Sequence, residues 1–149
     1  MRSGHTRADA GVYLLALELG RPQKLRIGAL GDVHFQKGWY IYTGSAKRGL
    51  SRRLARHTDH SRSKVLRWHI DFLRKGARAV RAFPIPTRLD LECKLARAVG
   101  AIAAGMVPHF GCSDCSCRSH LFRFEVDPLD DPRFIELLRR YGHRVEMGK

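Results

Sequence analysis

Five residues of this sequence have side chains suited to moving protons or holding charge against a phosphate or a metal: Tyr13, Tyr42, Arg53, His57 and Glu92. Tyr13 ends the triplet Gly11-Val12-Tyr13, which opens a strand-like run, and Tyr42 begins Tyr42-Thr43-Gly44, which closes another. Arg53 and His57 are four residues apart in a basic segment, so on a helix both face the same way. Glu92 has Ala96 and Val99 at i+4 and i+7, with Leu91, Leu95, Ala98 and Ile102 as the adjacent stripe. A carboxylate beside that apolar face is costly unless it is paired or ligates a metal. Carboxylates suit hard cations, and the guanidinium fork pairs two phosphate oxygens at once. Outside such a pattern, the tyrosines would read as sheet aromatics and the arginine as a solvated helix charge.

Strands must position the two tyrosines. In residues 11–19, Tyr13, Leu15, Leu17 and Leu19 share one face and Val12, Leu14 and Ala16 the other, so both faces are apolar and the strand belongs inside a sheet. Short strands at 24–27 and 33–35 flank the glycine-bearing segment 28–32 as a hairpin. Residues 39–43 are dense in aromatic and β-branched types and form another strand.

Helices must position the remaining groups. The first carries Leu50, Leu54 and His57 on one face and Arg52, Arg53 and Arg56 on the others. A second is marked by Val65, Leu66, Trp68, Ile70, Phe72 and Leu73 and ends at Gly76. After a strand at 79–85, Thr87 and Asp90 read as a capping box for a third helix reaching about Ala104. Residues 121–126 alternate as a strand with Phe122, Phe124 and Val126 on one side. Asp131-Pro132 starts a last helix with the stripe Phe134, Leu137, Leu138 and Tyr141. The expected fold class is α+β, a small antiparallel central sheet flanked by helices. Residues 1–10 are expected to be a flexible N-terminus and 11–149 a single domain that includes the C-terminal helix.

Size and charge narrow the partners. A chain of 149 residues buries enough surface to fold without a staple. Its 28 Lys+Arg against 14 Asp+Glu leave a formal charge of +14, a field that attracts polyanions, nucleic acid first among them. Lys47, Arg48, Arg52, Arg56, Lys64 and Arg67, with Arg62, crowd around the first two helices and are candidates to track a phosphate backbone. No run is long enough to span a bilayer, and the basic N-terminus lacks the apolar core of a signal peptide. A cytoplasmic, membrane-free protein with reduced thiols is expected.

The ordered set Tyr42-Thr43-Gly44-Ser45-Ala46, Leu54-Ala55-Arg56-His57, Trp68-His69-Ile70-Asp71, Glu92-Cys93 and Phe110-Gly111-Cys112-Ser113-Asp114-Cys115 resembles the GIY-YIG nuclease superfamily, in particular its small stand-alone branch labelled a domain of unknown function. The resemblance spans about residues 11–124. It implies an α/β domain with its two tyrosine motifs on neighbouring strands, and a metal-dependent endonuclease that hydrolyses phosphodiester bonds, DNA foremost. By the resemblance, Tyr13 is the general base or positions the attacking water, and Tyr42 orients the nucleophile or the scissile phosphate. Arg53 counters charge in the transition state, with Arg52 the competing choice of register, and Glu92 holds one Mg²⁺ or Mn²⁺. His57 contacts phosphate, assists proton transfer, or is a buried structural histidine. Ser119 or His120 occupies the place of the superfamily's late asparagine. Free tyrosine has a pKa of about 10, and a neighbouring Arg53 and cation are expected to lower it.

Cys112, Cys115 and Cys117, with His109 and His120 nearby, raise a structural zinc as the weaker alternative cofactor. Three thiols in one loop are awkward for a tetrahedral ion, and Cys93 stands apart on a predicted helix. Two further readings stand beside the nuclease: a non-catalytic nucleic-acid-binding module of the same fold, and a zinc-stabilised interaction domain. A lone catalytic domain with no targeting module would take its substrate choice from a protein partner.

Overall fold

The apolar run at 11–19 buries both of its faces, as an interior strand must. In the computed structural model, which describes residues 9–58, 69–112 and 117–142, it forms β1 (Gly11–Leu19). There follow a hairpin of β2 (Gln23–Arg26) and β3 (Asp32–Phe35), the long strand β4 (Gly38–Ala46), then α1 (Leu50–Thr58) and α2 (His69–Gly76). β5 (Ala79–Pro86), α3 (Glu92–Ile102), β6 (Gly105–Met106), β7 (Leu121–Phe124) and α4 (Pro132–Arg140) complete the chain. The fold is α+β. One five-stranded sheet has the order β5-β1-β4-β7-β6 with every pairing antiparallel, and the β2–β3 hairpin is a separate two-stranded sheet.

The sheet's two faces carry two cores. Tyr13, Leu15, Leu17 and Leu19 pack with Leu50 and Leu54 of α1 and Ile70 and Leu73 of α2. Val12, Leu14 and Ala16 pack with Leu95, Ala96 and Val99 of α3 and Phe134, Leu137 and Leu138 of α4. Each large side chain so buried stabilises the fold by about 1.5–3 kcal/mol of transfer free energy. The alternation read from β1 therefore assigns one helix pair to each face.

The structure departs from sequence expectation at the start of α3, at the end of β7 and in an added short strand, β6. Thr87 and Asp90 do not form a capping box. The Thr87 hydroxyl accepts from the nearby Leu89 N–H, and α3 begins only at Glu92 with Leu91 before it and no side-chain cap. β7 stops at Phe124 because the chain turns into a 3₁₀ turn, Pro128–Asp130, whose start Asp127 caps, so Val126 is exposed. β6, a two-residue pairing at Gly105–Met106, carries no pattern that sequence could announce. Residues 1–8 of the segment expected to be flexible lie outside the described residues. Asp9 and Ala10, however, are bound: Leu50 N donates to Asp9 O, Ser51 N and Oγ donate to the Asp9 carboxylate, and Ala10 O accepts from Thr87 N. Asp9 thus satisfies N–H groups at the start of α1 from a distant part of the chain. Asp131 does the expected work at α4, accepting from Arg133 N before a proline in the first turn.

Candidate active site

The register of β1 against β4 sets Tyr13 opposite Gly44 and Leu15 opposite Tyr42. The Tyr13 ring lies over Gly44 so closely that a Cβ there would sit 2.4 Å from Tyr13 Cζ. Glycine at that place in Tyr42-Thr43-Gly44 is therefore a steric requirement of the tyrosine on the neighbouring strand. The two rings are tilted, their centroids 6.3 Å apart. Phe110 meets Tyr42 edge-on, and Gly111, at φ +73°, turns the backbone where a side chain would press on the Tyr42 ring.

α1 carries Arg53 and His57 to these tyrosines. The Tyr13 hydroxyl is 3.2 Å from His57 Nε2. On the far side of the imidazole, Nδ1 lies 4.0 Å from Asp71 Oδ1, and Arg56 Nη1 binds that same carboxylate at 2.7 Å. Arg74 Nε donates to the His57 carbonyl and pins the end of α1 to α2. Arg53 donates to the Ser45 carbonyl and hydrogen-bonds Tyr13, whereas Arg52 is exposed, so Arg53 is the one of the two that is brought to the tyrosine.

Glu92 is the first residue of α3, where the helix dipole favours an anion. Ser45 Oγ donates to its Oε1 at 2.6 Å, and His120 Nδ1 lies 3.0 Å from its Oε2. Burial pushes the Glu92 carboxyl up, but the hydrogen bonds from His120 and Ser45 and the charges of His120 and Arg53 outweigh it, leaving the group below the ordinary glutamate value. The cost of a carboxylate beside an apolar stripe is thus met by pairing.

Burial governs the tyrosines. It pushes Tyr13 from 10.0 up to about 12, and the opposing pull of Arg53 is smaller. Arg53 pulls the Tyr13 pKa down as expected, but a 2 % exposed phenol loses more hydration than one guanidinium returns, so the net shift is upward. Burial, with Tyr13 and Glu92 adding to it, also holds Tyr42 well above the ordinary range.

Ser45, Lys47, Thr87, Arg88, Glu92 and His120 are among the walls of an open cavity of about 830 Å³. Of the five residues singled out by sequence, Glu92 alone lines it; Tyr13, Tyr42 and His57 are buried. An ionised carboxylate on a roomy polar wall, with each oxygen keeping a lone pair beyond its one hydrogen bond, fits a hard divalent cation that retains several waters. Lys47 lines this cavity, Arg48 and Arg52 are exposed, and Lys64 and Arg67 lie outside the described residues. Arg56 is committed to Asp71.

Three residues of this arrangement had no role assigned from sequence: Ser45, Asp71 and, as a partner of Glu92, His120. Each is a polar residue inside or beside an apolar string, the signal that marks a buried hydrogen bond. His69 anchors a bond, its Nδ1 accepting from Gly111 N at 2.8 Å. The described thiols are split between two places. Cys112 Sγ donates to Phe110 O, Cys115 lies outside the described residues, and Cys117 sits with Cys93 and His120 instead. His109 is exposed and carries a positive φ of 65°.

No helix of the described residues is long and apolar enough to cross a membrane. Among known proteins, a family model described as a domain of unknown function, DUF123, matches residues 12–142. No curated protein and no solved structure matches the chain.

Proposed function

We propose that this chain, which belongs to the DUF123 family, is a metal-dependent endonuclease of the GIY-YIG type that hydrolyses phosphodiester bonds, with DNA as its substrate. The observation that carries the reading is convergence. Residues from β1, β4, α1 and α3, far apart in sequence, meet at the end of the sheet where β1 begins and β4 ends, with Arg53 bridging Tyr13 and the Ser45 that holds Glu92.

The chain's own groups divide the work. Glu92, kept ionised and aimed at the cavity, would hold Mg²⁺ or Mn²⁺, which when bound polarises a phosphoryl oxygen. Arg53, part-exposed between the tyrosine and the cavity wall, offers its guanidinium to the phosphate. Tyr13 keeps its proton at neutral pH and works as a neutral positioning group, its hydroxyl linked to His57 and Arg53. Tyr42 packs behind it. Lys47, Arg48 and Arg52 track the backbone away from the scissile bond. The proposed setting is cytoplasmic, with a protein partner directing the domain to its substrate.

The test is nicking of supercoiled plasmid with Mg²⁺ or Mn²⁺ by wild type, Tyr13→Phe and Glu92→Ala at matched folding. Nicking by wild type, lost in both variants, is expected. Salt-sensitive binding without cleavage would replace the enzyme by a non-catalytic nucleic-acid-binding module. Equal cleavage by all three would mark a contaminant.

A further inference from the structure

A second set of donor atoms lies on the other side of His120. Cys93 is in the first turn of α3, beside Glu92, while Cys117 and His120 are three residues apart immediately before β7. One ligand atom from each of Cys93, Cys117 and His120 lies within 4.8 Å of the other two, and Cys93 Sγ is 3.9 Å from His120 Nε2. Around a tetrahedral zinc with bonds of about 2.3 Å to sulfur and about 2.0–2.1 Å to nitrogen, sulfur and nitrogen stand about 3.6 Å apart and two sulfurs about 3.8 Å apart. Side-chain shifts of at most about 1 Å bring the three donors to that spacing.

The imidazole is already turned for it. His120 is 1 % exposed, its Nδ1 faces Glu92 Oε2 at 3.0 Å, and this leaves Nε2 toward the thiols. A ring nitrogen on a metal with the other donating to a carboxylate is the usual support of a ligating histidine. An open cavity of about 500 Å³, lined by Cys93, Arg97, Met106, Cys117, Arg118 and Phe122, reaches the thiols and gives an entry path. Two thiolates and an imidazole are soft and borderline donors that select zinc over magnesium, so this centre differs in chemistry from the hard-cation position at Glu92.

We propose that Cys93, Cys117 and His120 bind one zinc ion, with water as the fourth donor, and that His120 couples this centre to Glu92. The ion ties the first turn of α3 to the start of β7. With Nε2 on the metal, Nδ1 carries the ring proton 3.0 Å from Glu92 Oε2, and a small ring rotation lets it hold the carboxylate from behind.

The experiment is a Co²⁺ titration of the full chain after removal of bound metal, read by thiolate-to-cobalt absorption and followed by displacement with Zn²⁺. One equivalent per chain is expected, lost in Cys93→Ser and in Cys117→Ser and kept in Cys112→Ser. Glu92→Gln weakens Zn²⁺ affinity by about 10–100-fold, the usual effect of losing a carboxylate behind a ligating histidine. Because a serine variant can fail to fold, wild type gives an independent reading: Zn²⁺ protects Cys93 and Cys117 from iodoacetamide. The proposal is overturned by wild type that binds neither metal, by unprotected thiols in the presence of Zn²⁺, by a Cys93–Cys117 disulfide in the anaerobically purified chain, or by Co²⁺ retained in Cys93→Ser. Such a failure with Mg²⁺-dependent nicking intact removes the zinc centre alone and leaves the nuclease reading standing.

Discussion

The Tyr13 hydroxyl and His57 Nε2 stand 3.2 Å apart between two residues that are 2 % and 1 % exposed. Burial pushes the Tyr13 phenol up to about 12, so without a bound cation the hydroxyl keeps its proton at neutral pH. Tyr13→Phe removes the hydroxyl while keeping the ring. Nicking is expected to fall about 100-fold, the usual effect of losing a positioning contact, with DNA affinity unchanged in a filter-binding titration.

The same burial gives an alkaline signature. Tyr13's folded pKa lies above its ordinary value of 10.0, so the native state holds this proton more tightly than the unfolded chain. The resulting stability is fully present below about pH 10 and is lost as pH rises through about 12. The difference in tyrosinate absorbance between wild type and Tyr13→Phe should titrate near 12, and the variant's stability should fall less steeply over that window. A difference curve centred near 10 would contradict the buried, hydrogen-bonded placement.

Gly44→Ala tests the close approach of the two tyrosine strands. The new Cβ would meet Tyr13 Cζ at 2.4 Å, and the ring is confined by the core, so overpacking should cost about 1–3 kcal/mol in denaturant unfolding. Nicking should fall as well, because the hydroxyl must move. Gly105→Ala, where a Cβ meets nothing within 4 Å, is the matched control and should change stability by under about 0.5 kcal/mol.

What could be read in advance follows from how each residue is held. The two faces of β1 and the stripe Phe134, Leu137, Leu138 were legible because burial imposes period 2 or 3.6 on the sequence itself. Arg53 over Arg52 was a matter of one residue of register, which only the path from Gly44 to Leu50 decides. Asp9 at the start of α1, Ser45 on Glu92 and Asp71 beside His57 join residues 42, 47 and 14 positions apart, and no local pattern records such a meeting. The Thr87–Asp90 spacing misled because a local turn bond to Leu89 took the hydroxyl that a cap would have used. Cys93 looked isolated because its spatial neighbours Cys117 and His120 come from the segment before β7, well beyond the reach of any local pattern.

Acid should act through Glu92. Its folded pKa is depressed below the ordinary 4.5, so the native state binds that proton less tightly than the unfolded chain. The stability it contributes is fully present above pH 4.5 and is lost as pH falls through the lower folded value. Unfolding midpoints measured across this acid range should drop in wild type and drop less steeply in Glu92→Gln. Parallel curves would mean that Ser45 and His120 do not hold the carboxylate as described.

Arg52 and Arg56, both basic and on one helix, should behave as opposites. Arg52 is exposed, so Arg52→Ala should leave stability unchanged and reduce the slope of log affinity against log salt by about 1, the loss of one phosphate contact. Arg56 pairs at 2.7 Å with Asp71, which is 4 % exposed, so Arg56→Ala strands a buried carboxylate next to His57 and should cost about 1–3 kcal/mol. Its salt slope should stay near that of wild type. Asp71→Asn separates the two roles further: it removes the negative charge 4.0 Å from His57 Nδ1 while keeping the side chain's shape, and nicking should fall more than stability. Matching salt slopes for Arg52→Ala and Arg56→Ala would place both arginines on the backbone of the nucleic acid and dissolve the Arg56–Asp71–His57 arrangement as a support for Tyr13.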